Sequence, residues 1–159
     1  RCTVPIMTLA YKVAGDPKTV EGRAGPAPDW KKVGNFVDLT EALADWSRGL
    51  LRADPYKLVA LICRYPKQAM ELKEEMENYL PGEVRLGHRD QFSFEPGVLV
   101  TNIHQVKGLE FDSVALVEPD EENYPEKREE SRNMIYVGIT RTQEDLLLAT
   151  IRPYSSVLF

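Results

Sequence analysis

The chain has 159 residues, 43% of them hydrophobic and 28% charged, with 11 prolines and 10 glycines. This suits one domain with its own core and excludes a disordered tail, a collagen-like repeat and a disulfide-stapled mini-protein. The net charge of -5 is carried by the stretch Glu118 to Glu130, which reads as a solvated acidic loop; elsewhere acids and bases balance, so charge neither demands nor forbids nucleic acid.

Pro5 to Ala14 places Ile6, Leu9, Ala10 and Val13 at helical spacing. Gly15 to Pro28 is rich in Gly and Pro and reads as a loop. Asn35 to Leu39 alternates like a short strand, after which Thr40 is expected to cap a helix through about Leu51. Lys57 to Arg64 reads as a buried strand. Its apolar run Leu58 to Cys63, the longest in the chain, is far short of a membrane span. Pro66 suits the first turn of a helix over Lys67 to Leu80, and Gly82 suits its end. Short strands follow at Val84–Leu86, Val98–Val100 and Val114–Val117. A helix from about Arg128 to Thr142 and a strand at Leu146–Thr150 complete the pattern. Strands alternating with helices predict an α/β layer fold with a mostly parallel sheet.

Cys2 and Cys63 form no CxxC pair, so no metal site is expected. A reducing, cytoplasmic setting fits that cysteine usage. No basic stretch followed by an apolar one marks a secretory signal. The chain begins at Arg1 rather than Met and is expected to be a piece of a longer protein.

Two segments are too specific for generic α/β filler. One runs Thr101-Asn102-Ile103-His104-Gln105-Val106-Lys107-Gly108-Leu109-Glu110-Phe111-Asp112 between two apolar strands; the other is Arg132-Asn133-Met134-Ile135-Tyr136-Val137-Gly138-Ile139-Thr140-Arg141. In this order they resemble motifs V and VI of the UvrD/Rep family of superfamily 1 helicases, typically T-x-H-x-x-K-G-L-E-F and R-N/R-x-x-Y-V-A/G-x-T-R. Arg1-Cys2-Thr3-Val4-Pro5-Ile6 is similar to motif IV, usually Y-R-S-T, cut after its Tyr. The likeness spans Arg1 to about Thr150.

The resemblance implies one domain over residues 1–159, the second, C-terminal RecA-like (P-loop NTPase-type) three-layer domain of a two-domain DNA motor. ATP with Mg2+ would be held mainly by a preceding RecA-like domain, since no G-x-x-x-x-G-K-[ST] occurs here. Arg141 and Arg1 would be the catalytic arginines, and Gly108 and Glu110 would join them at the nucleotide. An arginine suits that place because phosphoryl transfer spreads negative charge that a planar donor fork stabilises. Thr101, His104 and Lys107 would line the path of single-stranded DNA or hold motif V in place. Arg132 would brace the motifs by an ion pair, and Tyr136 would pack in the core.

The residues between motifs IV and V are taken up by predicted core elements, with no room for a domain-sized insertion. The chain therefore looks closer to compact HelD-like or helicase IV-like members. Partners implied are single-stranded DNA, the chain's own N-terminal RecA-like domain, and RNA polymerase or a repair protein. The alternative is a non-catalytic interaction module that binds RNA polymerase or another protein, with Glu118 to Glu130 as its contact.

Overall fold

The computed structural model describes residues 2–88 and 92–159; Arg1, the expected second arginine of the ATP site, lies outside them. Six strands form one sheet: β1 (Asp29–Lys32), β2 (Leu58–Cys63), β3 (Val84–Leu86), β4 (Gly97–Asn102), β5 (Phe111–Val117) and β6 (Thr142–Thr150). Their spatial order is β1-β6-β5-β2-β4-β3, and every neighbouring pair is parallel.

Period-two alternation divides the strand side chains between two cores. Leu58, Ala60 and Ile62 of β2 join Val114, Leu116, Leu146 and Leu148 on one face. There they meet α1 (Val4–Val13) and α4 (Glu129–Thr140) through Ile6, Ala10, Ile135 and Ile139. Val59, Leu61 and Cys63 face the other way. They pack on α2 (Phe36–Ala53) and α3 (Pro66–Met76) through Leu39, Leu43, Leu72 and Met76. Each such fully buried Leu, Ile or Met contributes about 1.5–3 kcal/mol. Helices on both faces of a parallel sheet give the expected three-layer α/β architecture.

Local expectations are corrected at two places, and one strand is added where none was expected. Asn35 to Leu39 is no strand: Asn35 caps α2, its Oδ1 accepting from the Asp38 N–H at 2.8 Å, and Thr40 lies buried inside the helix. Phe36, Leu39, Thr40 and Leu43 also fit a helical stripe, and the larger buried face decides. The stretch Asp29–Lys32 becomes an edge strand although all four of its residues are exposed. α3 ends at Met76, not Leu80. The chain turns there as Glu77 Oε2 accepts from the Gly82 N–H at 2.8 Å, with Gly82 at φ 72°.

Candidate functional site

The sheet has two working edges. At the carboxyl edge, where the strands finish, β2 leads into α3 on one face. Its neighbours β4 and β5 lead to the other face, where Ile103, Val106 and α4 pack with α1. Adjacent parallel strands whose continuations diverge in this way leave a crevice at their carboxyl ends.

Arg64, the residue after β2, forms the floor of that crevice and is only 8% exposed. Its Nη1 donates to His104 Nε2 at 3.0 Å; an arginine can only donate, which makes Nε2 the acceptor. Its guanidinium carbon lies 4.3 Å from the Tyr65 ring centroid and 6.0 Å from that of Tyr124. Its buried Nε has no partner, and among the described residues no carboxylate pairs with it. Burying an uncompensated charge costs several kcal/mol, so this cation suits an anionic ligand better than it suits the core.

His104 is exposed in a one-turn 3-10 helix, Ile103–Gln105, and its N–H donates to Asn102 Oδ1 at 3.1 Å. Lys107 is exposed nearby. With Ile103, His104, Asn133, Met134 and Val137 it lines a recess of about 170 Å³ in which motif V meets motif VI. Thr101 is corrected. It is fully buried and its hydroxyl donates to the Gly87 carbonyl at 2.9 Å, so it holds β3 to β4 and offers nothing to a strand. The motif's Thr stands two places before the His, and in this chain that place is Asn102, the residue that positions His104.

At the amino edge, where strands begin, three distant segments converge. Cys2 Sγ donates to the Thr140 carbonyl at 3.5 Å. The Phe111 N–H donates to the Arg141 carbonyl at 2.8 Å. Arg141, at the end of α4, donates from Nε to Val137 O at 3.1 Å, from Nη1 to Leu109 O at 3.3 Å and from Nη2 to Thr140 Oγ1 at 3.2 Å. Those bonds use three of the five N–H groups of a guanidinium. Among the described residues no carboxylate pairs with it.

Glu110 is exposed. Gln143 Nε2 donates to its Oε1 at 2.7 Å, and that bond, helped by the charge of Arg141, holds its carboxyl below the usual range. Burial raises the Cys2 thiol, while Arg141 opposes and Glu110 adds to the shift. Gly108 adopts φ 81° with nothing within 4 Å of an added Cβ. The turn's left-handed conformation, not crowding, requires glycine there.

Two further expectations change. Among the described residues Arg132 makes no ion pair; its Nη1 donates to the Val13 carbonyl at the end of α1, a suitable partner for a cation. Tyr136 packs on the core as expected. The acidic stretch is not simply solvated. Asp120, Asn123 and Tyr124 are buried, and the Ser156 N–H donates to Glu121 Oε1 at 2.7 Å. Glu122 pairs with Arg152 at 2.9 Å.

The profile of the UvrD-like helicase C-terminal domain matches residues 56–153. The chain belongs to this family. The match begins after Arg1 and the partial motif IV. Among solved structures, the chain is similar to the C-terminal domain of a possible DNA helicase from Lactobacillus plantarum WCFS1. The two are 24% identical with TM-score 0.81, over 99% of this chain and 91% of that one. It is also similar to the C-terminal domain of the DEAD-box protein Dbp5 (15% identity, TM-score 0.51, 79% and 76% covered). A third likeness is to the Sulfolobus solfataricus SWI2/SNF2 ATPase core in complex with dsDNA (12% identity, TM-score 0.53, 77% and 27% covered). These likenesses establish the RecA-like fold of the UvrD-like domain. No curated protein sequence matches the chain.

Arg64 has no role in the sequence reading. The signal that marks it is a charged residue closing a six-residue strand that is buried throughout.

Proposed function

We propose that this UvrD-like domain is the second half of an ATP-driven DNA motor, with its amino edge at the nucleotide and its carboxyl edge on single-stranded DNA. The observation that carries the reading is the convergence of Cys2, Leu109–Glu110 and Thr140–Arg141 around an arginine that no carboxylate pairs with among the described residues. Among the described residues Arg141 keeps two N–H groups uncommitted, which fits a triphosphate oxygen pair. ATP with Mg2+ supplies the transferable phosphoryl group and is held mainly by an N-terminal RecA-like domain. Arg141 stabilises the charge that develops on that group, and Glu110 and Gly108 shape the turn beside it. Arg1 would add a second cation there. At the other edge Arg64, His104 and Lys107 meet the phosphates of the strand, and Asn102 holds His104 in place.

By itself the chain lacks a phosphate-cradling loop, so it hydrolyses no ATP. The test is a protein carrying this chain with its N-terminal motor domain. There Arg141→Lys keeps the charge and loses the fork, and turnover falls at least about a hundredfold, within the arginine-finger range. Near-normal turnover by the Lys variant would sink the bidentate role. Turnover by the isolated 159-residue chain that survives Arg141→Ala would sink the half-site itself.

A further inference from the structure

Tyr65 lies beside the centre of the carboxyl-edge crevice, directly after Arg64, yet 46% of it is open to solvent. It is held from both sides of the chain. Its N–H donates to Gln68 Oε1 at 3.1 Å, and Gln68 Nε2 donates in turn to Asn123 Oδ1 at 3.0 Å. Pro66 follows it and restricts it to extended backbone, as its φ of -123° and ψ of 150° show. The ring lies over the Arg64 guanidinium, 4.3 Å from centroid to carbon. Arg64 is itself more than nine-tenths buried and bonded to exposed His104.

Covering Arg64 needs only one face of the ring. A ring fixed at its backbone, braced by a cation and otherwise open is preorganised for a second planar group. Bases of an unpaired strand supply such groups, and they stack on aromatic side chains whatever the sequence. A base on the ring brings its backbone close to His104 and Arg64, where phosphate contacts are available. We infer that Tyr65 is a stacking platform for one base of the bound single strand. This rests on the single-strand reading of the carboxyl edge.

The test titrates the 159-residue chain at low salt with a short single-stranded DNA containing 2-aminopurine, and with a strand of equal length that is abasic throughout. Tyr65→Ala weakens binding of the intact strand about tenfold, the worth of one base–aromatic stack, and removes the 2-aminopurine quench. Tyr65→Phe keeps both. The abasic strand binds the wild type and Tyr65→Ala alike. If Tyr65→Ala binds and quenches as the wild type does, the platform is refuted and the single-strand reading stands. Equal weakening on intact and abasic strands also refutes it, because the loss then acts through Arg64. A wild-type chain that binds neither strand refutes the single-strand reading and the platform together.

Discussion

The two edges of the sheet hold their arginines by opposite means. Arg64 is locked in place by burial, ring contacts and one imidazole, with an orphaned Nε. Arg141 is half-exposed and tethered to the end of its own helix and to the Leu109 carbonyl. The first arrangement is rigid, and its ligand must come to it. Under the proposed function, the second exchanges backbone bonds for phosphate bonds when a partner domain closes over it. The proposed function calls for both: a constant grip on the strand and a group that engages only when the nucleotide cleft forms.

The largest effect separating the edges is catalytic. In the two-domain protein, Arg141→Lys costs at least about a hundredfold in ATP turnover, while single-strand affinity without nucleotide stays unchanged. Steady-state hydrolysis and an anisotropy titration read the two quantities.

Next comes the grip itself. Arg64→Met replaces a buried cation, without a carboxylate partner among the described residues, by an apolar group of similar length, so urea-unfolding stability changes by no more than about 1 kcal/mol or rises. Single-strand affinity falls at least about tenfold, and the slope of log K on log salt shrinks by about 0.7, one phosphate contact. Large destabilisation with unchanged binding would make Arg64 a core residue and break the comparison.

Smaller effects lie in charge networks beneath each edge. At the amino edge Lys57 Nζ meets Asp145 Oδ2 at 2.6 Å and Glu144 Oε1 at 3.2 Å, and Ser113 Oγ donates to the same Asp145 oxygen. Burial alone would lower the Lys57 pKa, but the Asp145 and Glu144 contacts outweigh it and raise it. A raised lysine pKa favours the folded state below the unfolded value, so this stability is complete at neutral pH and is lost as pH climbs above about 10.4. Lys57→Met removes it, at about 1–3 kcal/mol by denaturant titration at pH 7, with less difference at pH 11.

The carboxyl edge shows the reverse sign. Burial raises the Asp120 carboxyl, and among the described residues its Oδ2 lacks a partner while Oδ1 accepts from the Asn123 N–H. A raised carboxylate pKa penalises the fold at neutral pH, and the penalty fades as pH falls toward the unfolded value of about 3.9. Asp120→Asn keeps the acceptor and removes the charge. Stability at pH 7 is therefore unchanged or up to about 1 kcal/mol higher, and the gain vanishes at low pH.

The sequence shows the cores and one edge better than the other. The unbroken apolar run Leu58 to Cys63 and the strands at Val98 and Val114 announce buried parallel strands. Edge strand β1 carries no such signal, because Asp29–Lys32 is exposed on both sides and pairs through its backbone to β6. Asn35 to Leu39 fits two periods at once, and only the helix buries Leu39 and Leu43 together. Arg141 is legible through a ten-residue motif. Arg64 is not, because its meaning comes from His104, forty residues away in the chain. Thr101 misleads for a related reason: both faces of β4 are covered, the Gly87 carbonyl takes its hydroxyl, and its neighbour Asn102 takes the positioning role.

The division of labour is tested most directly on this chain itself, by single-strand titration of Arg64→Met, Arg141→Ala and the double variant at two salt concentrations. The account predicts that Arg64→Met weakens binding and flattens the salt dependence. Arg141→Ala leaves both unchanged, and the double variant matches Arg64→Met alone. If Arg141→Ala weakens binding as much as Arg64→Met does, the two edges share one ligand and the assignment of strand to one edge and nucleotide to the other is wrong.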